Sequence, residues 1–170
     1  AGVAAASGAW DSAKRGLRGG DAARVVDGRT LRQRGNAGAA AERGERVVVV
    51  GGGNTAIDAA RVSRRLGAQV VQLYRRSRAE MPASHEEIAD AIEEGVAIEY
   101  LCVPVRIDDG QVTCVRMALG PADASGRPRP VVVPGSEFTI PASTVIIAIG
   151  QEVEIPTASV ARDANGSGAV

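Results

Sequence analysis

The chain has 170 residues and carries 20 basic and 20 acidic side chains, so its formal net charge is zero. This balance favours neither a nucleic-acid surface nor an anionic membrane surface, and we predict neither kind of partner. The length suits one domain, or one domain with tails, and no apolar run reaches the roughly 18 residues needed to span a bilayer.

Residues 1–45 are rich in alanine, glycine and arginine. We predict a weakly ordered segment here, with a short amphipathic helix near residues 3–17, where large apolar residues recur at helical spacing. The chain starts at Ala1 in mid-pattern and lacks the charged-then-apolar pattern of a secretory signal. We therefore expect a cytoplasmic protein whose present chain is a fragment or a processed piece.

Residues 46–75 carry the pattern of a strand, a helix and a second strand. The run Arg46–Val50 is almost entirely β-branched, which is typical of a parallel strand buried on both faces. Helix formers follow over residues 54–66, Gly67 ends the helix, and "QVVQLYR" (69–75) is the second strand. We predict a β–glycine turn–α–β unit about 30 residues long.

A second helix and a third strand are predicted directly after this unit. In "MPASHEEIADAIEEGV" (81–96), Ser84 and Glu87 stand as the N-cap and N3 residues of a capping box, and Gly95 ends the helix. The run "AIEYLCVPVRI" (97–107) is predicted to be a single strand.

After the third strand the pattern changes to short strands separated by turns. "DDG" (108–110) predicts a tight turn, "QVTCVRMAL" (111–119) predicts an alternating strand, and "VVVPGSEFTIP" (131–141) predicts a strand broken by proline and glycine. Together they predict a small antiparallel meander. "STVIIAIG" (143–150) predicts a last buried strand, and residues 152–170 a flexible tail.

The cysteines, the histidine and the acids of the second helix predict no metal site. Cys102 and Cys114 form neither a C-x-x-C motif nor a metal-ligand cluster, so two buried thiols are expected. His85 is the only histidine and is expected to be a solvated helix residue. A solvated helix face is expected for Glu86, Glu87, Asp90, Glu93 and Glu94.

The glycine-rich turn after the first strand predicts a phosphate site. Gly51 permits the tight turn, Gly53 lets a diphosphate approach the backbone, and Ala56 takes the third small position of a G-x-G-x-x-A motif. The helix that begins at Asn54 and Thr55 offers free amides and partial positive charge to an anion. No G-K-[ST] follows, which excludes a nucleotide-hydrolysing P-loop. A tight turn without a ligand is the alternative.

The end of the second strand distinguishes NADP from NAD. An NAD site places an acid about 20 residues past the glycines, where it bonds the ribose 2′-hydroxyl. Here "YRRSR" places Arg75, Arg76 and Arg78 at that position, and guanidinium groups bind a 2′-phosphate bidentately. Ser77 can donate one more hydrogen bond. We predict a site for NADPH, and a solvated basic turn is the alternative.

The stretches "VVVVGGGNTAIDAARVSRRLGA", "YRRSRAEMPASHEEIADAIEEGV" and "VIIAIGQ" together resemble the NADPH-binding domain of the glutamate synthase small subunit. They also resemble related NADPH-dependent flavoprotein oxidoreductases, including the reductase part of dihydropyrimidine dehydrogenase. The resemblance covers about residues 46–151. It implies an α/β fold, a Rossmann-like three-layer nucleotide-binding domain with a parallel sheet, helices and an antiparallel β-meander. Residues 1–45 match poorly and would be a remnant of the crossover from a flavin domain.

The resemblance also implies cofactors, partners and site residues. NADPH would be held by this chain and FAD by a separate domain or subunit, and iron–sulfur clusters or the glutamate synthase large subunit would carry electrons onward. No catalytic acid, base or nucleophile is predicted, because the cofactors perform the redox step. The residues implied to line the nucleotide are Gly51, Gly53, Asn54 and Thr55 at the diphosphate, Arg75, Arg76 and Arg78 at the 2′-phosphate, and Ala148, Ile149 and Gly150 towards the nicotinamide.

Two other functions stay open on the residues alone. A stand-alone NADP(H)-binding regulatory or structural module would explain why this chain lacks the family's flavin fingerprint and its cluster-binding cysteines. An FAD-binding Rossmann domain would share the glycine loop, but the arginine cluster argues against it.

Overall fold

A computed structural model describes residues 24–27, 45–124 and 126–149, with the backbone alone for residues 24–27. The elements in chain order are β1 (Arg24–Asp27), β2 (Arg46–Val50), α1 (Asn54–Arg65), β3 (Gln69–Tyr74), a 3₁₀ turn (Arg78–Glu80), α2 (His85–Glu93), β4 (Ala97–Tyr100), β5 (Cys102–Asp108), β6 (Gln111–Ala122), β7 (Pro128–Val132), β8 (Phe138–Pro141) and β9 (Thr144–Ile147).

Five parallel strands form the central sheet, in the order β1-β9-β2-β3-β4. The middle strand is β2, whose Val50 lies opposite Leu73 of β3 and Ile147 of β9. The chain runs outward from β2 through β3 to β4, and it returns on the other side of β2 as β9. In open α/β sheets, ligands bind beyond the carboxyl ends of the strands where the strand order reverses in this way.

The valine run of β2 is buried on both faces, as its sequence predicts. Val47 and Val49 belong to a core cluster with the buried residues of both helices. Val48 and Val50 belong to a second cluster, which includes Val112 of the antiparallel sheet. The alternation produces three layers, with the parallel sheet between the helices and the antiparallel sheet. The predicted three-layer α/β fold is confirmed.

The antiparallel layer consists of β5, β6, β7 and β8, with β6 pairing with each of the other three strands. The tight turn between β5 and β6 contains Gly110, at a φ of 78°, as "DDG" predicts. The carbonyl of Gly110 accepts from the N–H of Ala142 at 2.9 Å, which places this turn beside the start of β9. The predicted meander is thus confirmed.

The prediction of a single third strand is wrong. The run 97–107 forms two strands, β4 in the parallel sheet and β5 in the antiparallel sheet. The chain changes layers at Leu101, whose φ of 53° is the one left-handed value for a non-glycine residue in the described part of the chain. The N–H of Leu101 donates to Arg76 O at 3.1 Å, and Leu101 O accepts from Met117 N at 2.7 Å. The sequence conceals this corner because both halves of the run are rich in residues that favour strands.

The strand β1 lies within the segment predicted to be weakly ordered, so that prediction missed it. It pairs in parallel with β9, with Val25 opposite Val145. Four residues are too few for a periodic pattern to stand out from polar neighbours. The expected helix near residues 3–17 and the tail at 152–170 lie outside the described residues. No helix that the structure describes has the length and apolar character to cross a bilayer.

Both cysteines are free and buried, as predicted. Burial raises the pKa of the Cys102 thiol to about 11 and that of the Cys114 thiol to about 12. The thiolate is the reactive form of cysteine. At neutral pH both side chains therefore behave as small apolar core residues.

The acidic face of α2 is not solvated throughout, contrary to the prediction. Glu94 Oε1 lies 2.7 Å from the guanidinium of Arg61 and 2.6 Å from that of Arg65, both on α1, while Asp90 lies 3.2 Å from Arg61. Hydrogen bonds from these two arginines lower the pKa of the Glu94 carboxyl to about 2. Glu94 therefore clamps the end of α2 to α1, whereas Glu93 is exposed, as predicted.

Glu94→Gln is expected to lower the thermal unfolding temperature at pH 7, because it removes the charge that two arginines share. The folded pKa of about 2 lies below the usual value of 4.5. The stabilisation is therefore complete above the usual value and disappears as the pH falls towards 2. Circular-dichroism melting curves at several pH values should show that the unfolding temperature of the wild type falls as the pH is lowered through this window. The variant should already have the lower unfolding temperature at pH 7 and should not show this fall.

The matched control is Glu93→Gln, which removes the same charge from the neighbouring, exposed position. It should melt like the wild type throughout the pH range. Coincident melting curves for the two variants would show that the Glu94 clamp does not stabilise the fold.

Candidate functional site

Three segments that carry the predicted site residues meet at one edge of the parallel sheet. Gly51 follows β2, Arg75 follows β3 and Ala148 follows β9. Because the strands are parallel neighbours, their carboxyl ends lie side by side. The structure thus brings together the glycine loop, the arginine cluster and the end of the last strand, at the place where the strand order reverses.

Gly51 closes the end of β2 against β9. Its φ of 140° is one that side chains rarely adopt, and a Cβ there would overlap the carbonyl group of Ala148, whose carbon would be 2.9 Å away. The N–H of Ala148 donates to Val50 O at 2.8 Å, and the N–H of Gly51 donates to Leu73 O at 3.0 Å. The chain's own packing therefore requires glycine at this position.

Residue 52 must be glycine because an aromatic ring packs directly against its backbone. A Cβ at this position would lie 2.5 Å from Cε2 of Tyr74, well inside van der Waals contact. The Tyr74 hydroxyl donates to Glu80 O at 2.7 Å, which holds the ring over the loop, and Ala83 N donates to Gly52 O at 3.1 Å. The dinucleotide motif leaves this position unspecified, so the sequence did not reveal its role.

Nothing in the described chain requires Gly53 to be glycine. Its φ of −88° and ψ of 175° suit any residue, and no described atom lies within 4 Å of a Cβ built there. Gly53 is the N-cap of α1 and has no side chain that could accept a hydrogen bond from the first amides of the helix. The space beside Gly53 is therefore open, as the close approach of a ligand would need.

Several consecutive N–H groups at the start of α1 find no acceptor among the described residues. The helix begins with Gly53 O, which accepts from Ala56 N at 2.9 Å and from Ile57 N at 3.1 Å. No acidic side chain stands in its first turn. Free amides at the positive end of a helix dipole favour an anion. The amides without an acceptor are those of Gly52, Gly53, Asn54 and Thr55.

Arg76 points into the protein and is bonded there, which leaves its guanidinium unavailable for the predicted role at the 2′-phosphate. It is only 8% exposed. Its Nε donates to Pro128 O at 3.1 Å, and its Nη2 lies 3.4 Å from the carboxylate of Asp123. Arg76 therefore ties the end of β3 to the β6–β7 connection of the antiparallel layer.

Arg75 and Arg78 have no acceptor and no carboxylate partner within residues 45–124 and 126–149. Arg78 is exposed and opens the 3₁₀ turn, while Arg75 is partly buried. Burial, and then the neighbouring charge of Arg76, lower the pKa of the Arg75 guanidinium. The Asp123 carboxylate acts in the opposite direction but leaves the pKa lowered, and a bound anion would offset the remaining penalty.

Ser77 is engaged within the chain, so its predicted hydrogen bond to a phosphate is not free to form. Its hydroxyl donates to Glu80 Oε2 at 2.6 Å, and its N–H donates to the same oxygen at 2.9 Å. The hydrogen bond from Ser77 lowers the pKa of the Glu80 carboxyl. This capping box rigidifies the turn that presents Arg75 and Arg78. The signature S-x-x-E was present in the sequence and was overlooked there.

The last strand ends in residues that face opposite layers. Ala148 packs against the helix-side core and Ile149 against the core of the antiparallel layer. Both are partly buried, and Gly150 lies outside the described residues. The predicted role of these residues near the nicotinamide therefore stays a prediction.

One buried polar side chain at the loop was missed altogether. Gln72 is 0% exposed, and its Nε2 donates to Gly51 O at 2.9 Å. The signal was a glutamine at an inward-facing position of the strand "QVVQLY". His85 is exposed. The side chains that the structure describes bring no three potential ligands together around a metal ion.

Comparisons with known proteins show which family the chain resembles. The family model described as pyridine nucleotide-disulphide oxidoreductase matches residues 3–170. The NADPH-Fe(3+) oxidoreductase subunit beta of Geobacter sulfurreducens is 56% identical over 119 residues, which cover 66% of this chain and 18% of that protein. The glutamate synthase [NADPH] small chain of Azospirillum brasilense is 47% identical over 116 residues, or 65% of this chain and 24% of that protein. The predicted resemblance is confirmed, and the chain spans about a fifth of the length of these relatives.

Solved structures support the fold. Thioredoxin reductase from Lactococcus lactis, in its FR conformation, matches with a TM-score of 0.58 at 19% identity and covers 79% of this chain and 40% of its own. Thioredoxin reductase from T. acidophilum matches with a TM-score of 0.56 at 14% identity, with the same two coverages.

Gly52→Ala is expected to destabilise the chain by roughly 1–3 kcal/mol, because the new methyl group overlaps the Tyr74 ring. Gly53→Ala places its methyl group in open space and should change stability by less than about 1 kcal/mol, the scale of a helix cap. Urea denaturation of the two variants measures the difference. Equal losses of stability would contradict the distinction drawn between the two glycines.

Proposed function

The chain belongs to the pyridine nucleotide-disulphide oxidoreductase family, and from this premise we propose that residues 46–151 are the NADPH-binding domain of a flavin-dependent oxidoreductase. The flavin would be FAD, held in a separate domain or subunit. The relatives named above carry NADPH in their names and are several times longer than this chain.

The open space at Gly53 is the observation that carries the proposal. At Gly51 and Gly52 the protein itself excludes a side chain, but at Gly53 it does not. The four free amides around that space can bind an anion with two or more oxygens. A diphosphate that binds where the strand order of the parallel sheet reverses would fill the open space and accept hydrogen bonds from these amides.

The charges next to the loop support NADPH over NADH. Arg75 and Arg78 would hold the 2′-phosphate, since their guanidinium groups lie after the end of β3 and form no hydrogen bond or ion pair with the described residues. Arg76 would act indirectly, because its contacts with Pro128 and Asp123 fix the backbone from which Arg75 projects. Glu80 is the acid in this turn, and its carboxylate is held by Ser77.

The remaining roles concern the nicotinamide and the flow of electrons. When bound, NADPH supplies a hydride from its nicotinamide ring. In this proposal Ala148, Ile149 and Gly150 lie towards that ring, at the end of the strand adjacent to the glycine loop. The chain contributes binding and orientation rather than an acid or a base. Iron–sulfur clusters or a large subunit like that of glutamate synthase would accept the electrons beyond the flavin.

Gly53→Val should weaken the binding of NADPH and NADH by a similar factor, because the branched side chain fills the space next to a diphosphate that both ligands share. We expect a loss on the order of 10-fold or more, the effect of displacing one charged hydrogen bond. Fluorescence titration of the full chain measures both dissociation constants. Unchanged affinity would show that the diphosphate does not lie at the glycine loop.

Arg75→Ala should weaken NADPH binding by roughly 1.5–3 kcal/mol and leave NADH binding almost unchanged, since only NADPH carries the phosphate that the guanidinium would bind. Parallel titrations with both nucleotides at two salt concentrations provide the measurement. Wild-type affinity for NADPH should fall more steeply with salt than affinity for NADH.

The matched control for Arg75 is Arg106→Ala. Arg106 is an exposed arginine on β5 that pairs with Asp108, near the turn at the opposite edge of the parallel sheet. It should bind both nucleotides like the wild type. An equal loss for NADPH and NADH in Arg75→Ala would refute the 2′-phosphate assignment. Tight NADPH binding that never bleaches the flavin of the partner domain would favour a stand-alone nucleotide-binding module.

A further inference from the structure

Gln72 is a buried polar side chain to which the proposed site assigns no role. It is fully buried on the helix-facing side of β3. Its neighbours along the strand on that face are Val70 and Tyr74, and the residues opposite are Val49 of β2 and Ile98 of β4. These four residues all pack in the helix-side core. A carboxamide in such surroundings must be explained by the hydrogen bonds that it makes.

Gln72 uses one half of its carboxamide. Nε2 donates to Gly51 O at 2.9 Å, while Oε1 is buried and has no donor among the described residues. The reverse orientation would set two acceptor oxygens against each other, so the contact needs the N–H group. A buried oxygen without a donor lowers stability. Leucine or methionine would fill the same space without that penalty, so packing alone does not account for glutamine here.

The carbonyl that Gln72 holds belongs to the peptide between Gly51 and Gly52. In a planar trans peptide the C=O and the N–H point in opposite directions. A bond that draws the Gly51 carbonyl towards Gln72 therefore directs the Gly52 N–H to the other side. Neither glycine has a Cβ to resist rotation of this peptide plane, so the plane needs an outside contact to hold it.

We propose that Gln72 is a positioning residue that aims the Gly52 amide at the diphosphate of the bound nucleotide. This inference rests on the proposed function. The amide of Gly52 has no acceptor in the described chain, so it is available to the ligand. The bond from Gln72 also polarises the peptide and makes the Gly52 N–H a stronger donor. Gln72 itself does not touch the nucleotide.

The first test compares three ligands of the full chain carrying Gln72→Met, which keeps the apolar volume and loses the N–H. NADPH and NADH share the diphosphate, so both dissociation constants should rise by about tenfold, the effect of one weakened hydrogen bond. Adenosine 2′-monophosphate has the 2′-phosphate and no diphosphate, so its affinity should not change. Gln69→Met is the matched control, since Gln69 is exposed at the start of the same strand.

The second test uses Gln72→Glu, which makes the contact depend on pH. A buried carboxyl group is neutral at low pH, where its O–H donates to the Gly51 carbonyl, and it repels that carbonyl once ionised. From about pH 5 to about pH 8, NADPH affinity of this variant relative to the wild type should therefore fall at least tenfold. The 2′-phosphate of the ligand has a pKa near 6. Its ionisation affects the affinities of the wild type and the variant alike and therefore cancels in their ratio.

No other group that the structure describes on this face interferes with the pH test. Tyr74 and Tyr100 are the titratable residues on the helix side of β3 and β4. Burial raises the pKa of the Tyr74 phenol, and both tyrosines are present in every variant. The residues that α1 and α2 bury are alanine, isoleucine and serine, which do not titrate. His85 is exposed on α2 and is present in every variant, so its contribution cancels in the ratio to the wild type.

Three results would overturn the inference. Wild-type affinity of Gln72→Met for NADPH and NADH would show that the amide needs no positioning. Equal loss of affinity for adenosine 2′-monophosphate would indicate a general structural role. A flat pH ratio for Gln72→Glu would show that the N–H contact does not matter. If the wild type binds neither dinucleotide, the proposed function fails first, and this inference fails with it.

Discussion

The close approach of β9 to the end of β2 is the constraint on which the site depends. The carbonyl of Ala148 occupies the place where a side chain of residue 51 would lie, and the N–H of Ala148 is bonded to Val50. The glycine loop therefore takes its shape from a strand that the chain forms only after the whole antiparallel layer. Any side chain at residue 51 would separate β2 from β9 and move the edge on which the proposed nucleotide lies.

The arginine cluster shows how one short segment divides its work between structure and binding. Arg76 is turned into the protein, where it ties the end of β3 to the β6–β7 connection. That tie, together with the Ser77–Glu80 capping box, holds the turn from which Arg75 and Arg78 project. A rigid turn loses less entropy when its guanidinium groups bind a phosphate. The antiparallel layer thus supports the specificity that we propose, without contributing a ligand of its own.

Two polar side chains outside the proposed ligand contacts support the elements that form the site. Gln72 breaks an otherwise apolar core face, and it does so below the peptide that connects the first two glycines. On the far side of the helix layer, Glu94 joins α2 to α1 through two arginines. In our proposal the first contact orients an amide for binding, and the second fixes the helix whose N-terminus would face the nucleotide. The Gln72 contact is made to the loop before α1, whereas the Glu94 contacts are made to arginines in the second half of the helix.

The sequence by itself determined the α/β class and the residues around which the site is built. The three layers were predicted through the family resemblance. Periodicity and glycine spacing are local signals, and β2, α1, β3 and β9 fall close to where these signals place them. Only the tertiary structure decided that the run 97–107 turns a corner at Leu101, that Arg76 and Ser77 are engaged within the chain, and that Glu94 faces α1. Only the tertiary structure showed that packing within the chain requires glycine at Gly51 and Gly52 but leaves open space beside Gly53. The reason is physical: whether a charge or a missing side chain serves a ligand depends on which distant atoms already fill the space beside it.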